Sequence, residues 1–233
     1  MQKTKLLRAK DFLLETIFPK ECVGCGQDET WLCEPCLQRI VYVQSPTCPS
    51  CHRLTPEGQY CSRHKKGQKL KGAYVAAYYK EGPLKEAIHV FKYELIKELA
   101  IPLGRILSQA LNEKDLRKTV LVPIALHPRR ERQRGFNQAG LLAKEISIIT
   151  DLPIENGLKR IRYTKRQVDL DDKGRLTNTK NAFAWDKSNK LTGKKVLLVD
   201  DVLTTGATLN AAAEVLKKES RAKEVWGLVI ARG

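Results

Sequence analysis

The chain has 233 residues, 42% hydrophobic and 29% charged, and its 42 Lys and Arg against 26 Asp and Glu give a formal charge of +16. That composition describes a soluble globular protein with one α/β domain of ordinary size plus a small appendage, and excludes a disordered chain or two large domains. No apolar run reaches the roughly 18 residues a spanning helix needs, and the basic excess suits a polyanionic partner or an anionic substrate.

At the N-terminus, Leu6, Leu7, Phe12, Leu13, Leu14, Ile17 and Phe18 are interrupted by Arg8, Lys10, Asp11 and Glu15, with no small-residue cleavage site after them. The pattern predicts an amphipathic helix in a cytoplasmic protein, not a signal peptide. All seven cysteines then fall between Cys22 and Cys61. Cys22-x2-Cys25 and Cys33-x2-Cys36 form two knuckles whose four thiolates can converge tetrahedrally on one Zn²⁺. Cys48-x2-Cys51 and Cys61-x2-His64 offer three thiolates and an imidazole to a second ion. His52 is an alternative eighth ligand that would have to bend back from Cys51, and the knuckles can pair in sequence or interleave. An odd cysteine count argues against a disulfide framework. Full ligand sets leave no position open to water, so the zinc is expected to be structural and to supply stability that so small a ribbon cannot draw from a core.

Lys65-Lys66-Gly67-Gln68-Lys69 reads as a short basic linker. It divides an N-terminal helix and double zinc ribbon at 1–66 from an α/β domain at 67–233. In the second unit, strands are expected near 74–79, 119–122, 196–199 and 225–230, and helices near 83–92, 96–112, 137–149 and 207–219, forming a mainly parallel sheet. His89, with Ile88 and Val90 beside it, reads as a packed or surface histidine rather than a catalytic one.

Val196 to Val199 is the continuous apolar run of a central strand covered on both faces. The chain is expected to turn sharply there, leaving Asp200 and Asp201 at the carboxyl end of the strand, where ligands bind in open α/β sheets. Adjacent carboxylates can accept hydrogen bonds from the vicinal hydroxyls of a ribose and lie close to a hydrated Mg²⁺. Thr204, Thr205, Gly206, Ala207 and Thr208 then open a helix. Their small side chains let backbone N–H groups close around a phosphate, to which the hydroxyls and the helix dipole also contribute. The segment therefore predicts a site for a 5-phosphoribosyl group, such as phosphoribosyl pyrophosphate with Mg²⁺.

This strand, acidic pair and threonine-glycine loop resemble the signature of type I phosphoribosyltransferases. The resemblance implies that Asp200 and Asp201 hold the ribose hydroxyls and Thr204 to Thr208 the 5-phosphate. It also implies that the loop after Val120-Leu121-Val122-Pro123 receives pyrophosphate, with Arg129, Arg130, Arg132 and Arg134 as guanidinium forks and His127 on its border. Members acting on 6-oxopurines usually carry an acid where this chain has Thr204, which counts against a purine-salvage acceptor. The basic stretch from Lys159 to Arg175 includes Arg160, Arg162, Tyr163, Lys165, Arg166 and Lys173. It could close as a lid, as in related transferases, or track a nucleic-acid backbone with Tyr163 or Trp185 as a stacking face. Aromatic residues are only 6% of the chain, which does not indicate a dedicated stacking platform.

Arg134-Gly135-Phe136-Asn137-Gln138 narrows the resemblance. With the cysteine knuckles ahead of it and Asp-Asp-x-x-Thr-Thr-Gly-Ala-Thr behind it, the chain is similar over nearly its whole length to the ComF family. Phe18-Pro19, Phe91-Lys92, Gln167, Arg175, Asn178 and Asn181-Ala182-Phe183 belong to the same likeness. That resemblance implies a cytoplasmic protein of natural competence that helps handle incoming single-stranded DNA in transformation, with a competence helicase or other DNA-processing proteins as partners. It does not fix a reaction. A transferase with an acceptor other than a 6-oxopurine and a non-catalytic sensor of phosphoribosyl pyrophosphate are both compatible with it, and no residue is assigned as catalytic.

Overall fold

A computed structural model describes residues 20–163, 181–186 and 188–233. The N-terminal amphipathic stretch, Phe18-Pro19, Lys165, Arg166, Gln167, Lys173, Arg175 and Asn178 lie outside the described residues. Among those described, the strands are β1 (Ala73–Tyr78), β2 (Thr119–Pro123), β3 (Leu158–Arg160), β4 (Phe183–Trp185), β5 (Lys195–Leu203) and β6 (Glu224–Arg232). The α-helices are α1 (Glu34–Gln38), α2 (Pro83–Tyr93), α3 (Ala100–Ser108), α4 (Pro128–Arg134), α5 (Gln138–Thr150) and α6 (Ala207–Val215).

The main sheet is parallel, in the order β1-β6-β5-β2. Its two central strands, β5 and β6, are apolar runs because both of their faces are covered. Side chains that alternate along a strand go to opposite layers. Leu197, Val199, Trp226, Leu228 and Ile230 pack with Leu103, Ile106 and Leu107 of α3 and Leu142 and Ile146 of α5. Val196, Leu198, Val225 and Val229 pack on the other side with Leu209, Ala212 and Ala213 of α6 and Phe183 and Trp185 of β4. The fold is thus a mainly parallel α/β sheet with a small N-terminal ribbon, as the patterning predicts.

Four details depart from the expectations. β5 does not turn at Asp200 but continues to Leu203, because the equally long β6 keeps it paired from Lys195↔Glu224 to Leu203↔Arg232. The stretch 96–112 is helical in three pieces, with 3₁₀ turns at Lys97–Leu99 and Gln109–Leu111 around α3. The 207–219 stretch is α6 followed by a π turn at Leu216–Ser220. The segment holding Arg129, Arg130, Arg132 and Arg134 is not an open loop but α4, started by Pro128 and ended by Gly135 at φ 74°. Proline fits the first helical turn, where its missing N–H costs nothing, and glycine tolerates the left-handed turn that stops it.

The ribbon joins the sheet instead of hanging from it. Tyr42 bridges Ala77 in antiparallel fashion, Val43 N–H donates to the Ala76 carbonyl at 2.9 Å, and Tyr78 N–H donates to the Val41 carbonyl at 2.9 Å. Residues 41–43 thereby cover an edge of β1 that would otherwise expose unpaired backbone groups. Cys22, Leu32, Cys33, Cys36 and Ile40 share one core with Leu84, Ala87 and Ile88 of α2. Among the described residues, no helix is long and apolar enough to cross a membrane.

Candidate functional site

The eight donors of the ribbon converge in two groups, Cys22, Cys25, Cys33 and Cys36, and Cys48, Cys51, Cys61 and His64, with ligand atoms within 4.8 Å of one another in each. Cys33 Sγ lies 3.5 Å from both Cys22 Sγ and Cys25 Sγ, and Cys51 Sγ lies 3.7 Å from Cys61 Sγ. A tetrahedral Zn²⁺ with bonds of about 2.3 Å sets its sulfurs about 3.8 Å apart, so these donors fit zinc. The knuckles pair in sequence order and do not interleave. His64 turns Nδ1 toward Cys61 Sγ at 3.3 Å, while His52 turns Nε2 to Arg232 Nη2 at 3.2 Å and takes no part in the cluster. The knuckle turn is closed by Cys25 N–H and Gly26 N–H donating to the Cys22 carbonyl, and Cys33 N–H donates to Cys22 Sγ at 3.3 Å. The His64 imidazole draws the Cys61 thiol down to about 6, toward the thiolate a metal requires.

The acidic pair lies on β5, between β2 and β6. Lys92, in the last turn of α2, places its Nζ 2.8 Å from Asp201 Oδ1. Asp200 Oδ1 accepts from Asp201 N–H at 2.9 Å, and Asp201 Oδ1 accepts from Val202 N–H at 2.6 Å. Burial, reinforced by the Asp201 carboxylate, pushes Asp200 up to about 7, against the pull of Lys92. Burial alone would lower Lys92, but the Asp201 and Asp200 charges outweigh it and hold it above its ordinary value. Arg160 of β3 is only 9% exposed. Its burial and the neighbouring Arg130 charge lower its pKa while Asp200 opposes them, so these three groups share one electrostatic neighbourhood. A pair of carboxylates with an ammonium and the Arg160 guanidinium beside it, and Arg130 next to Arg160, can take a ligand that carries hydroxyls, a cation and phosphates together.

The loop follows three residues after the pair. Thr204 is exposed, Thr205 half-buried, and Gly206, Ala207 and Thr208 buried. Gly206 caps α6 with φ 75°, a left-handed conformation that suits a residue without Cβ. Ala207 N–H donates to Thr205 Oγ1 at 3.4 Å. The first N–H groups of α6 have no partners within the helix, and the positive end of the dipole lies there.

The arginines do not form one fork. Arg129 and Arg130 place their guanidinium groups 5.0 and 5.5 Å from the ring centre of Tyr163, and His127 meets the same ring edge-on at 5.2 Å. Arg134 donates to Gln138 Oε1 at 3.1 Å and lies 5.7 Å from the Tyr93 ring centre. Arg132 is exposed. A groove of about 190 Å³ lined by Lys92, Tyr93, Arg130, Arg134 and Tyr163 runs between these groups. His127 caps α4, its Nδ1 accepting from Arg129 N–H at 3.2 Å, which leaves the proton of the neutral ring on Nε2.

Residues 83–232 match the family model of the phosphoribosyl transferase domain, and residues 13–64 match the double zinc ribbon domain. The chain is 32% identical over 230 residues to "Competence protein F" of Haemophilus influenzae, a match that covers 91% of this chain and 97% of the relative. It belongs to the ComF family. Two further relatives of this ComF-family chain are "Competence protein ComFC" of Bacillus subtilis, 27% identical over 91% of the chain and 94% of the relative, and "DNA utilization protein YhgH" of Escherichia coli, 31% identical over 84% and 89%.

Within this ComF-family architecture, Arg134 to Gln138 is first of all a junction. Gly135 N–H closes α4 on the Glu131 carbonyl at 2.7 Å, and the ring of buried Phe136 sits 5.8 Å from that of Phe91. Asn137 caps α5 through Ala139 N–H at 3.1 Å and donates its Nδ2 to the Ile124 carbonyl at 3.0 Å, tying the segment after β2 to α5. Trp185 is no stacking face: it is 4% exposed, with Nε1 donating to the Asn189 carbonyl at 2.6 Å. His89 is a surface residue against Tyr93. Lys92, Tyr93 and Arg160 sit in no motif that marks them in the sequence: Lys92 follows Phe91, and Arg160 stands near the start of a basic stretch.

Proposed function

We propose that this chain binds a 5-phosphoribosyl ligand with Mg²⁺, such as phosphoribosyl pyrophosphate, at the end of β5, and uses a basic surface beside that site to handle single-stranded DNA in natural transformation, in the cytoplasm. The observation that carries the first half is the Lys92–Asp201 contact at 2.8 Å, which holds the acidic pair directly ahead of the Gly206-capped start of α6. Asp200 and Asp201 take the ribose hydroxyls and the hydrated Mg²⁺, Thr204 to Thr208 the 5-phosphate, and Arg130 with Arg160 the pyrophosphate side. Arg129 and Arg134 extend the basic surface outward. Calorimetric titration with phosphoribosyl pyrophosphate and Mg²⁺ tests this reading. The double variant Asp200→Asn, Asp201→Asn should lose at least a hundredfold in affinity while keeping its far-UV spectrum, and equal heats from variant and parent would remove the reading.

The competence half rests on the relatives' names together with the exposed Tyr93 and Tyr163, each set against an arginine. Base stacking on such rings is worth about 1–3 kcal/mol per base and tolerates any sequence. Binding of a single-stranded oligonucleotide should fall linearly in log affinity against log salt, and Arg129→Ala or Arg134→Ala should each flatten the slope by about 0.7, one phosphate contact in single strands. A salt-independent affinity would remove the DNA half and leave the phosphoribosyl half standing. Transfer to an acceptor is a second reading, favoured by a cavity of about 490 Å³ lined by His127, Glu131, Asn137, Asn156 and Arg160. Release of pyrophosphate on addition of amine or base acceptors distinguishes it from a sensor that binds without turnover.

A further inference from the structure

The second zinc knuckle meets the phosphoribosyl loop at three points. Arg232, 3% exposed at the end of β6, is the register partner of Leu203, the residue just ahead of Thr204. Its guanidinium reaches into the knuckle, donating from Nη1 to Thr47 Oγ1 at 2.9 Å and the Cys48 carbonyl at 3.2 Å, and from Nη2 to the Pro49 carbonyl at 2.8 Å, with His52 Nε2 at 3.2 Å. Tyr60, which precedes the ligand Cys61, is 6% exposed, and a Cβ built on Gly206 would meet its hydroxyl at 3.0 Å. Asn210 of α6 accepts on Oδ1 from Lys69 N–H at 2.7 Å and Leu70 N–H at 3.2 Å, fixing the helix start to the chain leaving the knuckle. The segment 47–70 thus bears on the loop from its entering strand, its apex and its departing helix.

The first knuckle provides an internal control. Its packing residues Cys22, Cys33 and Cys36 belong to the core on the opposite face of the sheet, whereas Cys48, Tyr60 and Cys61 share a core with Leu203 and Leu209.

We propose that the second zinc knuckle is a working part of the phosphoribosyl site, with Arg232 and Tyr60 as positioning residues, so that metal bound by Cys48, Cys51, Cys61 and His64 and ligand bound by Thr204 to Thr208 strengthen each other. Linkage makes the effect reciprocal: if an ordered knuckle holds the loop in its binding shape, a bound ligand must hold the knuckle. Arg232 supplies the rigid part of the link, because a planar guanidinium satisfying several acceptors has little freedom left. Tyr60 supplies the steric part, because the loop cannot sink toward the core past its hydroxyl. The inference rests on the phosphoribosyl reading above.

Cadmium NMR of the full chain, with Cd²⁺ replacing zinc at both sites, tests the link site by site, since a four-sulfur and a three-sulfur, one-nitrogen centre resonate apart. Addition of phosphoribosyl pyrophosphate with Mg²⁺ should move the three-sulfur resonance and leave the four-sulfur one in place. Arg232→Met should keep both resonances, lose the ligand-induced movement and weaken binding about tenfold, within the range usual for coupled sites. Tyr60→Phe, which keeps the ring and removes only the hydroxyl, should weaken it about threefold and decides the matter if Arg232→Met does not fold. Binding heat in calorimetry with no movement of the three-sulfur resonance, or with equal movement of both, overturns the linkage while sparing the phosphoribosyl reading. Absence of binding heat overturns that reading and the linkage with it.

Discussion

The eight zinc donors come from one short stretch between Cys22 and His64, each within a Cys-x2-Cys or Cys-x2-His knuckle. The groups of the other centre come from four separate elements: Lys92 from α2, Arg160 from β3 and the two acids from β5, with Arg130 of α4 beside Arg160. No local spacing brings them together. They meet because helices and ribbon are packed on a sheet whose central strands are buried from Val196 to Val199 and from Val225 to Arg232. One centre is built by ligation along the chain and the other by the core, so a core substitution should spare the first while loss of metal reaches both through the packing they share.

Metal removal should produce the largest effect. Structural zinc contributes apparent binding energies of about 10–16 kcal/mol, comparable with the whole stability of an ordinary domain. Chelation should therefore abolish a cooperative thermal transition, because Cys22, Cys33, Cys36 and Ile40 are part of the core that also contains α2 and α3. A melting curve unchanged by prolonged chelation would mean that the ribbon does not depend on its metal. Next in size is Leu121→Ala, at a fully buried position on β2. It should cost about 2–5 kcal/mol in urea unfolding while two zinc ions per chain remain by metal analysis. Loss of zinc from that variant would blur the distinction between the two centres.

A smaller effect comes from pH. Asp200 is raised to about 7 in the fold, well above the ordinary carboxylate value of 3.8, so the folded state holds its proton more tightly than the unfolded state. Its contribution to stability is complete below about pH 4 and disappears as the pH rises through about 7. Asp200→Asn should flatten the fall in melting temperature over that window. Lys92→Met, which removes the cation opposing burial, should extend the fall to higher pH. Smallest is Asn137→Ala, which removes the cap of α5 and should lower stability by about 1 kcal/mol without altering the Asp200 titration seen by carboxyl-carbon NMR.

The two centres also differ in how far the sequence discloses them. A Cys-x2-Cys spacing is itself the geometry of a zinc knuckle, so the ligands are legible residue by residue, and the fold was needed for the order in which the knuckles pair and for the choice between His52 and His64. That choice is made by Arg232, which occupies His52 from the far end of the chain. Asp200 and Asp201 are legible as a half-buried acidic pair on a central strand because they directly follow the apolar run Val196 to Val199. The end of β5 is not, because its pairing as far as Leu203 depends on the length of β6, a non-local fact. Lys92 and Arg160 look like ordinary surface charges in their own segments and acquire a role only where α2 and β3 approach β5. Trp185 gives the opposite lesson: an aromatic ten residues beyond the basic stretch offers a face for a base on sequence alone, yet the β3–β4 pair and the Asn189 carbonyl bury it. Tyr93 and Tyr163 form an exposed aromatic pair around one groove although the chain as a whole is poor in aromatics.

Whether the acidic pair of β5 holds a ribose and the start of α6 its phosphate is decided by a crystal soaked with phosphoribosyl pyrophosphate and Mg²⁺. The ribose hydroxyls should lie on Asp200 and Asp201 and the 5-phosphate within hydrogen-bonding distance of the backbone from Thr205 to Thr208. Ligand density elsewhere on the molecule, with that loop empty at saturating concentration, would contradict it.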